Sequence, residues 1–174
     1  YHDEELQRYV SGIGERLASV SHRPSLPWTF AVVDVPAVNA FALPGGFIGI
    51  HSGLMLETRN ESELAGVLAH EIAHVTQRHI ARGLAAQSRT NLMSTAAVLA
   101  AILIGAAGGS SDATMGAITA AQSAAAQAGI NFTRENEYEA DRIGFQRLDL
   151  AGFDTGGAAA LMERLQKASR FADG

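Results

Sequence analysis

The sequence predicts an α+β fold that is mainly helical with one small sheet, its most informative motif carried on a central helix. Three observations predict it. Convincing strand patterns occur only within residues 26–55, "LPWTFAVVDVPAVNAFALPGGFIGIHSGLM". Helical periodicity or alanine-rich sequence fills most of the remainder. Hydrophobic residues make up 47% of the chain but aromatics only 6%, so the core must be mostly Ala, Leu, Ile and Val, a composition that favours closely packed helices. A chain of 174 residues fits one domain, 1–174, because a domain near this size removes roughly two-thirds of its surface from water. No repeat or interdomain linker interrupts it.

The elements follow in order. "DEELQRYVSGIGERLASV" (3–20) sets Leu6, Val10, Ile13, Leu17 and Val20 on one helical face. Trp28 to Val35 and Phe47 to His51 read as strands, separated by a turn around Pro44, Gly45 and Gly46. Asn60 reads as a helix N-cap with Glu63 at the third helical position, a capping-box arrangement, and the helix it opens runs to a stop at Gly83. Residues 88–107 and 112–130 read as two helices joined by "GGSSD". Thr133 reads as the cap of a further helix through "RENEYEADRIGFQRLDL", and a last helix runs from Thr155 to Arg170. Within this plan "LMSTAAVLAAILIGAA" (92–107) is shorter than the roughly 20 apolar residues that cross a bilayer. It predicts a buried helix, with peripheral membrane contact or cover over a cleft as the alternative.

Composition also excludes. The formal charge is −5 and no basic block occurs, which argues against nucleic acid as a partner. There are no cysteines, so disulfides, thiolate metal sites and cysteine nucleophiles are ruled out. The first residue is Tyr1, and the expectation is a fragment of a longer protein from which a signal peptide or anchor has been removed.

The chemistry concentrates in "HEIAH", residues 70–74. Residues four apart on a helix project from the same side, so His70 and His74 can reach one metal ion. Glu71 sits about 100° round from His70, too far for the same coordination position but suited to act as a general base on a water. Val67, Leu68, Ile72 and Val75 can bury the back of this helix. A catalytic metal needs a third protein ligand. His79 lies nine residues from His70 and is expected on the opposite side of the helix. The extended HExxHxxGxxH pattern fails too, with Gln77 in the glycine slot and Ile80 in the third histidine slot. The best source is "NEYEAD" (136–141), where Glu137 and Asp141 share one helical face. One carboxylate can bind the metal while the other receives the N–H of a ligating histidine. Glu139 projects elsewhere and reads as a solvated surface charge. A purely structural zinc site is disfavoured, since such sites fill all four positions, often with cysteines.

HEIAH with a downstream "NEYEAD" resembles the gluzincins, zinc peptidases whose third ligand is a helix-borne glutamate. Within them the chain is most similar to the CAAX prenyl protease and HtpX family, in its soluble, BepA-like bacterial branch. "NAFALPGGFIGIHSGLM" (39–55) and "EADRIG" (139–144) carry the resemblance further, and the likeness spans about residues 3–170. It implies a zincin-like metalloprotease fold and one Zn2+ per chain held by His70, His74 and Glu137. Glu71 would be the catalytic base, and Asp141 would hydrogen-bond a ligating histidine. It implies polypeptide substrates, namely misfolded or unassembled cell-envelope proteins, a periplasmic or envelope location, and a C-terminal helical-repeat domain outside this chain.

Gly45, Gly46 and Phe47 are substrate-binding candidates, because a strand at a sheet edge can pair with an extended peptide. An ordinary hairpin turn is the alternative. His51, at a strand end, reads as surface or structural, with a role in the site as the lesser reading. Gluzincins usually add an electrophile after the glutamate ligand, but beyond Asp141 the chain has no His or Tyr, and nothing selects among Arg142, Arg147, Arg164 and Arg170. The alternative function is a chaperone-like, client-binding scaffold with a closed or idle metal site, suggested by the alanine-rich hairpin at 88–130.

Overall fold

The computed structural model describes residues 3–172, with side chains excepted at 166 and 168–172. The element order is α1 (Glu4–Ser19), β1 (Thr29–Val33), β2 (Ala40–Leu43), β3 (Phe47–His51), α2 (Ser52–Glu57), α3 (Glu61–Thr76), α4 (His79–Ala106), α5 (Ser111–Leu150) and α6 (Thr155–Ala172). The mainly helical α+β expectation holds. The chain divides into two compact units, one built from the chain up to Ile80 together with the chain from Tyr138 onward, the other from Ala81–Glu137.

In the first unit α1 begins where Asp3 accepts from the backbone N–H of Glu5 and Leu6, supplying two of the donors a helix start leaves unpaired. Its buried stripe of Val10, Ile13 and Leu17 joins the core formed by Phe30, Val32, Ile48 and Ile50 of the sheet and Leu64, Leu68 and Ile72 of α3. Gly14 is required by that packing, since a Cβ there would fall 2.5 Å from the Phe30 ring.

The sheet differs from the sequence expectation. Its order is β1-β3-β2, with β1 parallel and β2 antiparallel to β3. The turn at Gly45 (φ 94°) and Gly46 (φ 97°) therefore joins β2 to β3, and not the first predicted strand to the second. The missed strand is "AFAL", four residues with little alternation in burial, so its sequence carries almost no period-2 signal.

α3 is capped as expected by Asn60, whose side chain accepts from Glu63 N–H at 3.0 Å. The return bond goes one residue further back, Glu63 accepting from the Arg59 N–H at 2.7 Å. The same carboxylate, 3% exposed, receives both terminal nitrogens of Arg164 from α6 at 2.6 and 2.7 Å. Those Arg164 hydrogen bonds, aided by the Arg59 N–H and opposed by burial, hold Glu63 below the usual carboxylate range. A carboxylate whose folded pKa is depressed stabilises the protein above its unfolded pKa, about 4.3, and loses that contribution as the pH falls through the folded value. Urea unfolding between pH 7 and pH 3 should show a shallower acid decline for Glu63→Gln than for wild type, from a lower starting stability. Parallel curves would dissociate this ion pair from acid sensitivity.

Three predicted helix boundaries move. α3 stops at Thr76 and not at Gly83, which lies inside α4. α4 is one uninterrupted helix of 28 residues. Thr133 caps nothing, its hydroxyl donating to the Gly129 carbonyl within the 40-residue α5. The expectation that 92–107 is buried is also overturned. α4 contains an 18-residue window of mean hydropathy 1.4 that is only 6% buried, so by length and composition it is apolar enough to cross a membrane. Leu92, Met93, Leu103 and Ile104 are all exposed on it. Periodicity identifies an apolar face but carries no information on whether anything covers it.

Candidate metal centre

The first unit presents the HEIAH helix to α5 across a surface of small residues. Ala73, Ala140 and Ile143 form a buried cluster between the two helices. Gly144 approaches so closely that a Cβ there would sit 3.2 Å from the His70 backbone nitrogen. Small side chains allow this approach, and the approach sets the carboxylates of α5 beside the imidazoles of α3.

His70 Nδ1 lies 2.9 Å from Asp141 Oδ1. An ionised carboxylate only accepts, so the imidazole proton resides on Nδ1 and the Nε2 lone pair is left for a ligand. His74 Nε2 lies 3.0 Å from His70 Nε2, so both rings aim the same nitrogen at one place. Glu137, one residue before Tyr138 on α5, completes the set: His70, His74 and Glu137 each offer one ligand atom, all within 4.8 Å of one another. Two imidazole nitrogens and a carboxylate oxygen, without a thiolate, are the donors of an open three-ligand metal site. The donor set fits a divalent metal. Burial, and next the neighbouring His70 and His74-facing His79, push His74 down to about 4, so it stays neutral and able to ligate in the folded protein.

Glu71 is half-buried beside this set. With His70 and Asp141 it lines a cavity of about 240 Å³ that Val67, Phe145, Leu148, Leu161 and Met162 also line. Asn39 and Ala40, at the start of β2, also line it.

The family profile of peptidase family M48 matches residues 4–170. The chain belongs to this family. The M48 chain is 41% identical over 170 residues to a putative beta-barrel assembly-enhancing protease of Vibrio cholerae, covering 98% of itself and 35% of that protein. It is 40% identical over 169 residues to the beta-barrel assembly-enhancing protease of Escherichia coli, covering 97% and 34%. With the mitochondrial metalloendopeptidase OMA1 of Schizosaccharomyces pombe it shares 35% over 170 residues, covering 97% and 46%. The chain thus spans about a third of the two bacterial relatives. M48 membership implies a metal cofactor.

Other expectations need correcting. Phe47 does not lie at a sheet edge: it belongs to the central strand, paired with Thr29 on one side and Leu43 on the other. The edge on the cavity side is β2. Gly45 and Gly46 form the β2–β3 turn with positive φ, a conformation glycine adopts without strain. His51 ends β3 with its ring edge-on to Phe41. Of the arginines after Asp141, Arg147 donates to the Val20 carbonyl and Arg164 is held by Glu63, so both are engaged away from the metal set. The Arg170 side chain lies outside the described residues.

The largest correction concerns His79 and Glu139. α3 does not continue past Thr76; Arg78 adopts a left-handed φ of 57°, and a new helix begins at His79. His79 is thereby brought back to His74, Nδ1 to Nδ1 at 2.8 Å, instead of pointing to the far side. It is 4% exposed, and its Nε2 lies 2.8 Å from Glu139 Oε2. Glu139 is therefore a partner of a buried histidine and not a solvated charge. The available signal was a histidine five residues after the motif, but helical extrapolation aimed it the wrong way.

Proposed function

We propose that this chain is a zinc-dependent endopeptidase domain in which His70, His74 and Glu137 hold the metal and Glu71 is the general base. The convergence of two imidazole Nε2 atoms and a helix-borne carboxylate beside an apolar cavity carries the reading. When bound, zinc supplies Lewis acidity, bringing a water's pKa from 15.7 towards about 7 and drawing charge from the scissile carbonyl. Glu71 takes the proton of the attacking water and returns it to the leaving amine. Asp141 orients His70 through Nδ1. Edge strand β2 offers unpaired backbone to an extended substrate, replacing the Phe47 strand in that role. The cavity walls suit a large apolar side chain next to the scissile bond.

The bacterial relatives are named beta-barrel assembly-enhancing proteases, and the proposal extends from that name to misfolded or unassembled cell-envelope proteins as substrates in a periplasmic or envelope setting. A second reading is a client-binding scaffold, favoured by the exposed apolar residues of α4, which also suit a membrane surface.

Elemental analysis and cleavage of an unfolded protein test the first reading together. About one zinc per chain is expected in wild type, with clear loss in Glu137→Ala, and cleavage should stop on chelation. Aggregation suppression by a zinc-free, cleavage-inactive wild type would favour the scaffold instead.

A further inference from the structure

In the second unit the large apolar side chains of α4 point outward and the small ones inward, the reverse of what water selects. Past residue 91 the shielded positions of α4 are Ser94, Val98, Ala101 and Gly105. Those of α5 up to residue 130 are Thr114, Ile118, Ala121 and Ala125. Steps of three and four place each set on one helical face. The two faces meet, since a Cβ on Gly105 would fall 2.5 Å from the Thr114 hydroxyl oxygen. On the outside, Leu92 and Leu103 are 72% and 71% exposed, and Met93, Leu99 and Ile104 are exposed beside them.

Small residues along the seam and large apolar ones outside are the arrangement of helices packed in lipid, where apolar surface gains nothing by turning inward. Charge points the same way. Between Arg89 and Arg134 the chain carries one charged side chain, Asp112, at the start of α5. α4 itself holds Arg82 and Arg89 and no acidic residue, although the whole chain stands at −5. Arg89 is exposed one turn before Met93, on the same side of the helix. The outer face of α5 differs. It exposes Ser123, Gln127 and Asn131, and Gln127 donates to the Asn131 side chain at 2.9 Å. A hairpin crossing a bilayer would carry these groups into hydrocarbon, where unpaired polar atoms are costly.

We propose that the α4–α5 hairpin lies along an anionic lipid surface, with the outer face of α4 in the headgroup–acyl boundary and the outer face of α5 towards water. The apolar stripe from Leu92 to Ile104 is about 20 Å long at 1.5 Å per residue. A helix lying this way sinks its apolar face about 5–10 Å. Arg89 meets lipid phosphate at the end of the stripe, and Asp112, in the turn, stays at headgroup level. An anionic surface repels a chain of net charge −5, so the acid-free α4 also selects which side approaches it. The proposal does not depend on the metal-site reading.

The test uses the whole chain and vesicles of phosphatidylcholine, alone or mixed in equal parts with phosphatidylglycerol. Flotation should recover wild type with the mixed vesicles, more weakly with phosphatidylcholine alone, and less as salt is raised. The chain has no cysteine, so Leu103→Cys or Ser123→Cys carries a single environment-sensitive dye. At 103 its emission should shift to the blue and be quenched by nitroxides on the lipid tails; at 123 it should stay as in buffer. Leu99→Glu with Leu103→Glu should weaken binding at least about 10-fold, through lost apolar burial and added acid. Arg89→Gln should lose about 5-fold on mixed vesicles only. These side chains are exposed, so circular dichroism should match wild type.

Absence of wild type from both floated fractions would overturn the proposal. So would equal binding to the two vesicle types, or a blue shift at both dye positions, which would mean a hairpin that crosses. A dimer in sedimentation velocity that Leu103→Glu dissociates, without vesicle binding, would assign the face to a second copy of the chain. Flotation needs neither zinc nor cleavage, so its failure leaves the peptidase reading standing, and failure of that reading leaves this one to be decided by the vesicles.

Discussion

Glu71→Gln is expected to retain zinc and to cleave an unfolded protein about 10²–10⁴-fold more slowly than wild type, the usual contribution of a positioned general base. Glutamine keeps the size and hydrogen-bonding reach of glutamate but cannot take a proton at neutral pH. Glu71 is outside the His70, His74 and Glu137 donor group, so the metal content should stay near wild type. It lines the same cavity as His70, where the proposed mechanism brings a substrate carbonyl and a water together. Expressed as a barrier, the expected loss is about 3–5 kcal/mol. Cleavage at the wild-type rate would remove Glu71 from the mechanism, whereas loss of zinc along with activity would make it a metal contact.

Ile72→Ala should act through a different route from the middle of the same motif. Ile72 is 1% exposed and belongs to the main core, on the side of α3 away from the metal. Truncating a buried isoleucine costs roughly 2–5 kcal/mol, because apolar contacts are lost and the cavity closes only in part. In a chain of this size that corresponds to a fall in Tm on the order of 5–15 °C. Below the transition the variant should still bind zinc. Thermal denaturation beside elemental analysis would check both, and an unchanged Tm would mean that the site collapses around the smaller side chain.

The two variants mark what was legible in the sequence. His70, Glu71 and His74 could be placed because helical geometry alone fixes residues one and four apart. Glu137 and Asp141 could be narrowed to a pair by the same rule, and the geometry of His70 then separates their parts. Burial of Ile72 followed from the apolar face. The contacts of His79 with His74 and Glu139 were not legible, because the break after α3 uses an arginine in the left-handed region where glycine or asparagine would have signalled it. Strand order failed for a related reason: parallel pairing of β1 with β3 is a long-range choice, and β2 is too short to announce itself. The exposure of α4 depends on what surrounds it, which composition does not record.

The first unit is assembled from two stretches of chain, with Ala81–Glu137 between them. During synthesis, HEIAH emerges long before α5 and α6. At roughly 5–20 residues per second, a delay on the order of ten seconds separates the motif from Arg164, which secures Glu63 at the start of its helix. Until then α3 lacks the helix that covers one flank, and the imidazoles lack Asp141 and Glu139. A nascent chain therefore holds histidines but no organised centre. A centre split this way is complete only when the last helices arrive, so an interrupted translation product carries the motif without the groups that organise it.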